Sequence, residues 1–317
     1  MSHTTAEEQR LDENKSRAKY WKHWGPYLAE RQWATVREDY SHNGDAWSDF
    51  PFEHSRSRTY RWGEDGLAGI SDTHQNICLS MAMWNEKDDI LKEKLYGLTN
   101  SQGNHGEDVK ELYYYLDNTP THSYMKHLYK YPQGKFPYQQ LIDENAKRSR
   151  LDHEFEIDET GLFDENKYFD VVTEVAKLDE NPEELYFRVT AYNRSSEAAP
   201  LHLLPHIVLR NTWSWGTEEF KNKNKPSVSQ ENPYSVKITH HKFGDRYLTF
   251  APAPGPEEDS PDIEPELLFT ENETNTQRLY GQENKSKYVK DGFHDYIIGV
   301  DEEKEAKRDF VNPEHSG

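Results

Sequence analysis

From about residue 155 onward, apolar and polar side chains change places at every second position. Leu185, Phe187, Val189 and Ala191 alternate with Tyr186, Arg188, Thr190 and Tyr192, as a half-buried strand requires. The run Tyr168–Lys177 precedes it across Asp179-Glu180-Asn181-Pro182-Glu183, a turn-forming cluster. So short a link makes the pair antiparallel, because parallel pairing needs a longer crossover. Further strands are predicted over Leu201–Leu209, Ser235–His240, Tyr247–Ala251, Glu266–Thr270, Arg278–Tyr280 and Tyr296–Val300, with Gly244-Asp245 as a hairpin turn. The proline- and acid-rich run Ala253–Pro265 reads as a surface loop.

Upstream the spacing is helical instead. Ile77, Met81 and Trp84 share a face of a helix expected over Asp72–Trp84, and Ile90, Leu91, Lys94 and Leu95 give a mixed face over Lys87–Leu95. Pro120-Thr121 is expected to open a third helix, carrying Tyr124, Leu128 and Tyr131 and stopped by Pro132. Gln139–Arg150 reads as a short exposed helix. The chain thus divides into a charged lead-in (1–25), a mixed helix and loop region (26–150) and a strand-rich region (151–317), the first two and the third alternatively forming one combined domain. The fold class is α+β, mainly β: an antiparallel, supersandwich-like β-sandwich preceded by a mixed helical and loop region.

Only 33% of the 317 residues are hydrophobic, yet 13% are aromatic, with 20 Tyr, 13 Phe and 8 Trp. Disordered chains are poor in aromatics, so the polarity belongs to a folded, loop-rich protein. A formal net charge of −20 argues against nucleic acid or an anionic membrane as partner and favours neutral or cationic ligands, among which neutral sugars fit. One cysteine, Cys78, excludes an intramolecular disulfide and suits the cytoplasm. No apolar run approaches a membrane span, and the first residues carry no apolar core of a signal peptide.

Chemistry concentrates in two acidic-aromatic segments. Arg61-Trp62-Gly63-Glu64-Asp65 is echoed by His105-Gly106-Glu107-Asp108, so each carries a Gly-Glu-Asp triplet beside a ring. Aromatic faces stack on the C–H face of a pyranose, and carboxylates accept from its hydroxyls or move protons, so these residues point to a sugar-handling cleft. The structural alternative is that they are polar loops whose acids cap and turn the chain. A glycosidase dyad would have to pair one acid from each segment, about 5–5.5 Å apart for retention or roughly 6.5–9.5 Å for inversion. Trp213 and Trp215, two apart after an apolar strand, would share a face as a weaker stacking platform, or else cover the sandwich edge. No metal or cofactor is expected. Pro205 keeps His202 and His206 off one helix, His240 and His241 should point to opposite sides of a strand, and no nucleotide-binding or serine-hydrolase motif occurs.

The strings ERQWATVREDYSHNGDAW, SRTYRWGEDGLAGISD, LYGLTNSQGNHGEDVKE, LDNTPTHSYMKHLYKYPQ and LHLLPHIVLRNTWSWG resemble, in order, the N-terminal part of a cytosolic branch of glycoside hydrolase family 63. That branch is related to processing α-glucosidase and mannosylglycerate hydrolase, and the resemblance runs from about Glu13 to the last residue. It implies an N-terminal β-sandwich packed on a C-terminal (α/α)6 barrel. It also implies inverting hydrolysis of α-glucoside or α-mannoside substrates, by an Asp acid and a Glu base that the barrel carries. This sequence contains no six-hairpin helical stretch, so no catalytic residue is carried over. The resemblance makes the chain a non-catalytic domain. Its Trp62–Asp65 and His105–Asp108 loops would meet the barrel of the same or a related polypeptide and shape the subsite for a neutral oligosaccharide or glycoside. The other readings are a stand-alone carbohydrate-binding or scaffold protein, and activity within this chain through the two-segment dyad.

Overall fold

The computed structural model of the chain describes residues 4–31, 33, 44–45, 49–62, 66–99, 102–103, 108–255, 260–299, 311–312 and 315–316. The chain forms two compact units, Met1–Ser55 with Trp62–Val208, and Arg56–Arg61 with Leu209–Gly317.

The first unit is built from α1 (Ala6–Ser16), β1 (Trp24–Gly25), α2 (Phe52–Ser55), β2 (Leu67–Asp72), β3 (Ile77–Trp84), β4 (Gly97–Leu98), β5 (Asp108–Val109), β6 (Tyr113–Asn118), β7 (Tyr124–Pro132), α3 (Tyr138–Ala146), β8 (Tyr168–Lys177), β9 (Leu185–Asn193) and β10 (His202–Leu209), whose final residue belongs to the second unit. One sheet has the order β1-β2-β3-β10 and another β6-β7-β8-β9, while β4 and β5 form a two-stranded hairpin. Leu67, Met81 and Met83 of the first sheet share one buried cluster with Tyr129, Tyr131, Phe169 and Val171 of the second. The two sheets therefore face each other as a sandwich, and each such side chain taken from water contributes roughly 1.5–3 kcal/mol. The mainly β, antiparallel architecture expected from the alternation is the one observed. β8 and β9 pair antiparallel from Phe169↔Asn193 to Lys177↔Leu185, as the Asp179–Glu183 turn requires.

Three helices expected in the N-terminal half are replaced by strands or loops. Asp72 does not cap a helix. Its buried carboxylate accepts from the backbone N–H of His74, Asn76 and Ile77 and from the Asn76 amide, at 2.7–3.0 Å, closing the β2–β3 hairpin. β3 is buried on both faces, so its apolar residues do not alternate and their spacing imitates a helix. Lys87–Leu95 is an irregular loop. Asn85 Oδ1 accepts from the N–H of Lys87 and Asp88, and the Met83–Lys92 bridge returns the chain to β3. Over Pro120–Tyr131 the chain makes a turn and then β7, with Met125, His127, Tyr129 and Tyr131 inward. The lead-in helix α1 buries none of its own residues, but its Glu7 carboxylate accepts from the N–H and hydroxyl of buried Thr121 at 2.7 Å, holding the β6–β7 turn. α3 is exposed only in part: Leu141 and Asn145 are buried, and the Asn145 amide both donates to and accepts from the Phe155 backbone.

The second unit contains α4 (Glu218–Asn224), β11 (Ser227–Asn232), β12 (Ser235–His240), β13 (Gly244–Thr249), α5 (Thr276–Tyr280), α6 (Gly292–Ile298) and β14 (His315–Ser316), with the sheet order β13-β12-β11-β14. Its Arg56–Arg61 segment is held by the Asn272 amide, which accepts from Tyr60 N–H at 2.8 Å and donates to the carbonyls of Tyr60 and Leu209 at 2.9 and 2.7 Å. Two expected strands are helices. Arg278–Tyr280 lies in α5 and Tyr296–Val300 overlaps α6, while Glu266–Thr270 contributes only the Phe269–Asn312 bridge. α5 has both end signals. The Asn275 side chain accepts from Arg278 N–H, and Gly281 takes a left-handed φ of 66°. No heavy atom would meet a Cβ at Gly281, so Gly281→Ala should cost only the backbone strain, about 1 kcal/mol. Urea unfolding should also show Gly281→Asn losing less than Gly281→Ala, because Asn tolerates the left-handed region.

Candidate functional site

The described residues that follow the two acidic-aromatic segments pack in one place in the first unit. Glu64 and Asp65, and in the second segment His105 and Glu107, lie outside the described residues. After the first segment stands Gly66, whose φ of +106° and packing leave no room for a side chain: a Cβ there would come 2.1 Å from that of Ser80. The second segment ends on β5, where Leu98 pairs with Asp108 and Gly97 with Val109. Leu67, following Gly66, and Val109, following Asp108, both pack in the inter-sheet cluster. The geometry therefore brings the ends of the two segments together. Trp62 is partly exposed beside the first.

The C-terminal end of the second segment has a different role. Lys110 and Glu111 turn inward, and Lys110 Nζ meets Glu154 and Glu156 at 2.9 and 3.0 Å. Glu111 joins a buried network that the sequence reading missed. Lys92 Nζ donates to Glu111 Oε1 at 2.6 Å and lies 4.0 Å from Asp88 Oδ2. Glu111 also accepts from Tyr96 N–H at 2.8 Å and from the Tyr129 hydroxyl at 2.5 Å. Asp88 accepts from the hydroxyls of Tyr138 and Tyr131 at 2.7 and 3.2 Å and from Ile90 N–H at 3.1 Å. Burial pushes the Glu111 carboxyl above its ordinary value, against the pull of Lys92. Burial and the two carboxyls raise all three tyrosines well above theirs, so they remain donors. Each carboxyl receives three hydrogen bonds and faces protein, which makes this network a structural pin beneath the segment ends. The sequence carried no signal for it, because Asp88, Lys92 and Glu111 stand among other charged residues in Glu86–Lys94 and Glu107–Glu111.

In the second unit, Arg61 lies against the segment after β10: its Nη2 donates to Ser214 Oγ at 3.2 Å, and its carbonyl accepts from Arg210 Nε at 2.5 Å. The tryptophan platform does not form. Trp213–Trp215 is a short 3-10 helix rather than a strand, so the rings diverge, Trp213 being 3% exposed and Trp215 50%. His240 and His241 are not on opposite sides of a strand either. β12 ends at His240, and the two rings stack with centroids 4.6 Å apart. His202 lies on β10 within 2.9 Å of Glu86, and His206 is 3.9 Å from Glu93. Among the described residues no group of three or more His, Cys, Asp or Glu is arranged to hold a metal ion, and no helix is long and apolar enough to cross a membrane.

The chain is 51% identical, over 333 aligned residues, to a Saccharomyces cerevisiae protein named "Uncharacterized protein YMR196W"; the match takes in 99% of this chain. The chain spans only 30% of that relative's length. No family model matches it, and no solved structure does.

Proposed function

We propose that this chain is the N-terminal, non-catalytic part of a longer O-glycosyl hydrolase related to glycoside hydrolase family 63, acting by inversion on α-glucosides or α-mannosides. The observation that carries the reading is the match to the yeast relative: nearly all of this chain aligns within less than a third of a much longer polypeptide. That leaves length for a separate catalytic barrel, which the resemblance of the five strings implies. The antiparallel sandwich of the first unit supports the same reading. So does the burial of Asp88 and Glu111, two acids brought close together but sealed in hydrogen bonds and unable to reach a glycosidic oxygen.

In this reading the residues Arg61, Trp62, Glu64, Asp65, His105, Glu107 and Asp108 face the barrel and shape the subsite for a neutral sugar. Trp213 and Trp215 do not act as a joint platform. The single cysteine, buried Cys78, supports a cytosolic setting.

The test compares the purified 317-residue chain with the full-length yeast relative on a panel of α-glucosides and α-mannosides, following the released anomer by NMR. The relative should release the inverted anomer first, and this chain should release no sugar. Hydrolysis by this chain alone overturns the assignment, as does failure of the relative on the whole panel.

A further inference from the structure

The sheet β6-β7-β8-β9 of the first unit turns one face to the core, and its other face is banded by the cross-strand register. Tyr114, Leu128, Val172 and Thr190 stand opposite one another and make an uncharged row across all four strands. Beside it runs the row Asp117, Lys126, Glu174 and Arg188, whose sign alternates from strand to strand. None of these side chains is buried. Tyr114 on β6 is 45% exposed, and Tyr186 and Tyr192 on the same face of β9 are 50% and 48% exposed. Tyrosines and an arginine set around an open apolar row have the composition of a protein interface.

Charge favours a second copy as the occupant. A chain with a formal net charge of −20 repels itself over most of its surface. This face is balanced, because its outward positions carry three cations, Lys126, Lys130 and Arg188, and three carboxylates, Asp117, Asp170 and Glu174. Lys130 pairs with Asp170, and Arg188 with Glu174, each at 2.7 Å.

The alternating row is also complementary to itself. A two-fold axis parallel to the strands, between β7 and β8, sets β7 of one copy on β8 of the other and β6 on β9. Lys126 then meets Glu174, Asp117 meets Arg188 and Leu128 meets Val172, each contact being made twice. The strands of the two copies run in nearly the same direction, as in aligned packing of two sheets. Strands about 4.8 Å apart, with the ten residues of β8 at about 3.3 Å each, give a face of roughly 600 Å². Two copies would bury about 1,200 Å², which reaches the size of a specific interface.

We propose that the outward face of β6-β7-β8-β9 is a dimer interface, occupied by the same face of a second copy of this chain. The inference goes beyond the hydrolase reading, because it concerns how copies pair and makes no use of a catalytic barrel.

Sedimentation velocity of the 317-residue chain, over a concentration series up to about 100 μM, should show a species of twice 37.4 kDa. Lys126→Glu and Glu174→Lys, each alone, set like charges against each other at two symmetric contacts and should weaken dimerisation roughly a hundredfold or more. Mixing the two variants restores opposite charges at both contacts, so the mixture should dimerise where neither variant does. Circular dichroism checks that each variant is folded. Should Glu174→Lys fail to fold, Asp117→Lys with Arg188→Glu, both on exposed residues of the outer strands, gives the same pattern. A chain that stays monomeric throughout overturns the proposal and leaves the face to a different protein. A dimer that the single variants leave intact overturns it too, because the contact then lies elsewhere on the molecule. A mixture that remains monomeric does the same, since complementary charge is then not what holds the copies together.

Discussion

Lys92→Met should lower the stability of this protein by about 3–5 kcal/mol, because it leaves two buried carboxyls without their cation. Lys92 is 1% exposed, and its ammonium lies 2.6 Å from Glu111 Oε1, 3.3 Å from the Tyr138 hydroxyl and 3.9 Å from the centroid of the Phe136 ring. No water can replace it there. The hydrogen bonds from Tyr129 and Tyr96 N–H remain, but they do not neutralise a charge. Burial already raises the Glu111 carboxyl, and Lys92 is the largest influence opposing that rise. Without Lys92 the folded-state pKa climbs further above the unfolded value, so folding takes up a proton. A raised carboxyl contributes stability at low pH and loses it as pH rises, hence the deficit of Lys92→Met should deepen from mildly acidic to alkaline conditions. Urea unfolding at several pH values measures both effects. Adding Glu111→Gln to Lys92→Met should recover part of the loss and flatten the pH dependence. If the double variant is no better than the single one, the loss lies in packing around Phe136 and not in the unpaired acid.

That network also shows where the sequence was readable and where it was not. In β8, β9 and β12 one face is apolar and the turns carry Asn, Pro or Gly, so alternation revealed the strands. β3 has no polar face, and the i, i+4, i+7 spacing of Ile77, Met81 and Trp84 fits a buried strand and a helix equally. β7 does alternate, but its inward positions are Met125, His127, Tyr129 and Tyr131, mostly amphipathic residues that a polarity count assigns to the surface. α5 was misread although Asn275 and Gly281 mark its ends, because five residues hold too little periodicity to outweigh β-like composition. Of the candidate site, the sequence singled out two segments whose following residues, Leu67 and Val109, pack in one cluster. It could not show that Glu111 belongs to the core or that Trp213 and Trp215 diverge, since both depend on the path of the backbone after the motif.

His127 supplies the second large effect, and it runs in the opposite direction along the pH axis. Burial takes its folded pKa from 6.5 to about 4, so the fold holds the neutral ring while the unfolded chain protonates first. A histidine lowered in this way contributes its full stability above about pH 6.5. That contribution falls with pH down to about 4 and is constant below, a loss of about 3 kcal/mol from the shift at 1.36 kcal/mol per pKa unit. Lys177, which burial lowers to about 8, is charged throughout that window and does not add to the slope. Glu30, with a raised carboxyl, works against it at the acid end, because its protonated form is favoured in the fold. The clean readout is therefore a difference curve, the unfolding free energy of the parent minus that of His127→Phe, measured from neutral pH downward. The curve should drop by about 3 kcal/mol between roughly pH 6.5 and 4. A flat difference would mean that the ring is charged in the fold or reached by solvent. A rise as the pH falls towards 6.5 would instead require an acid partner for Nε2 that lifts the folded pKa.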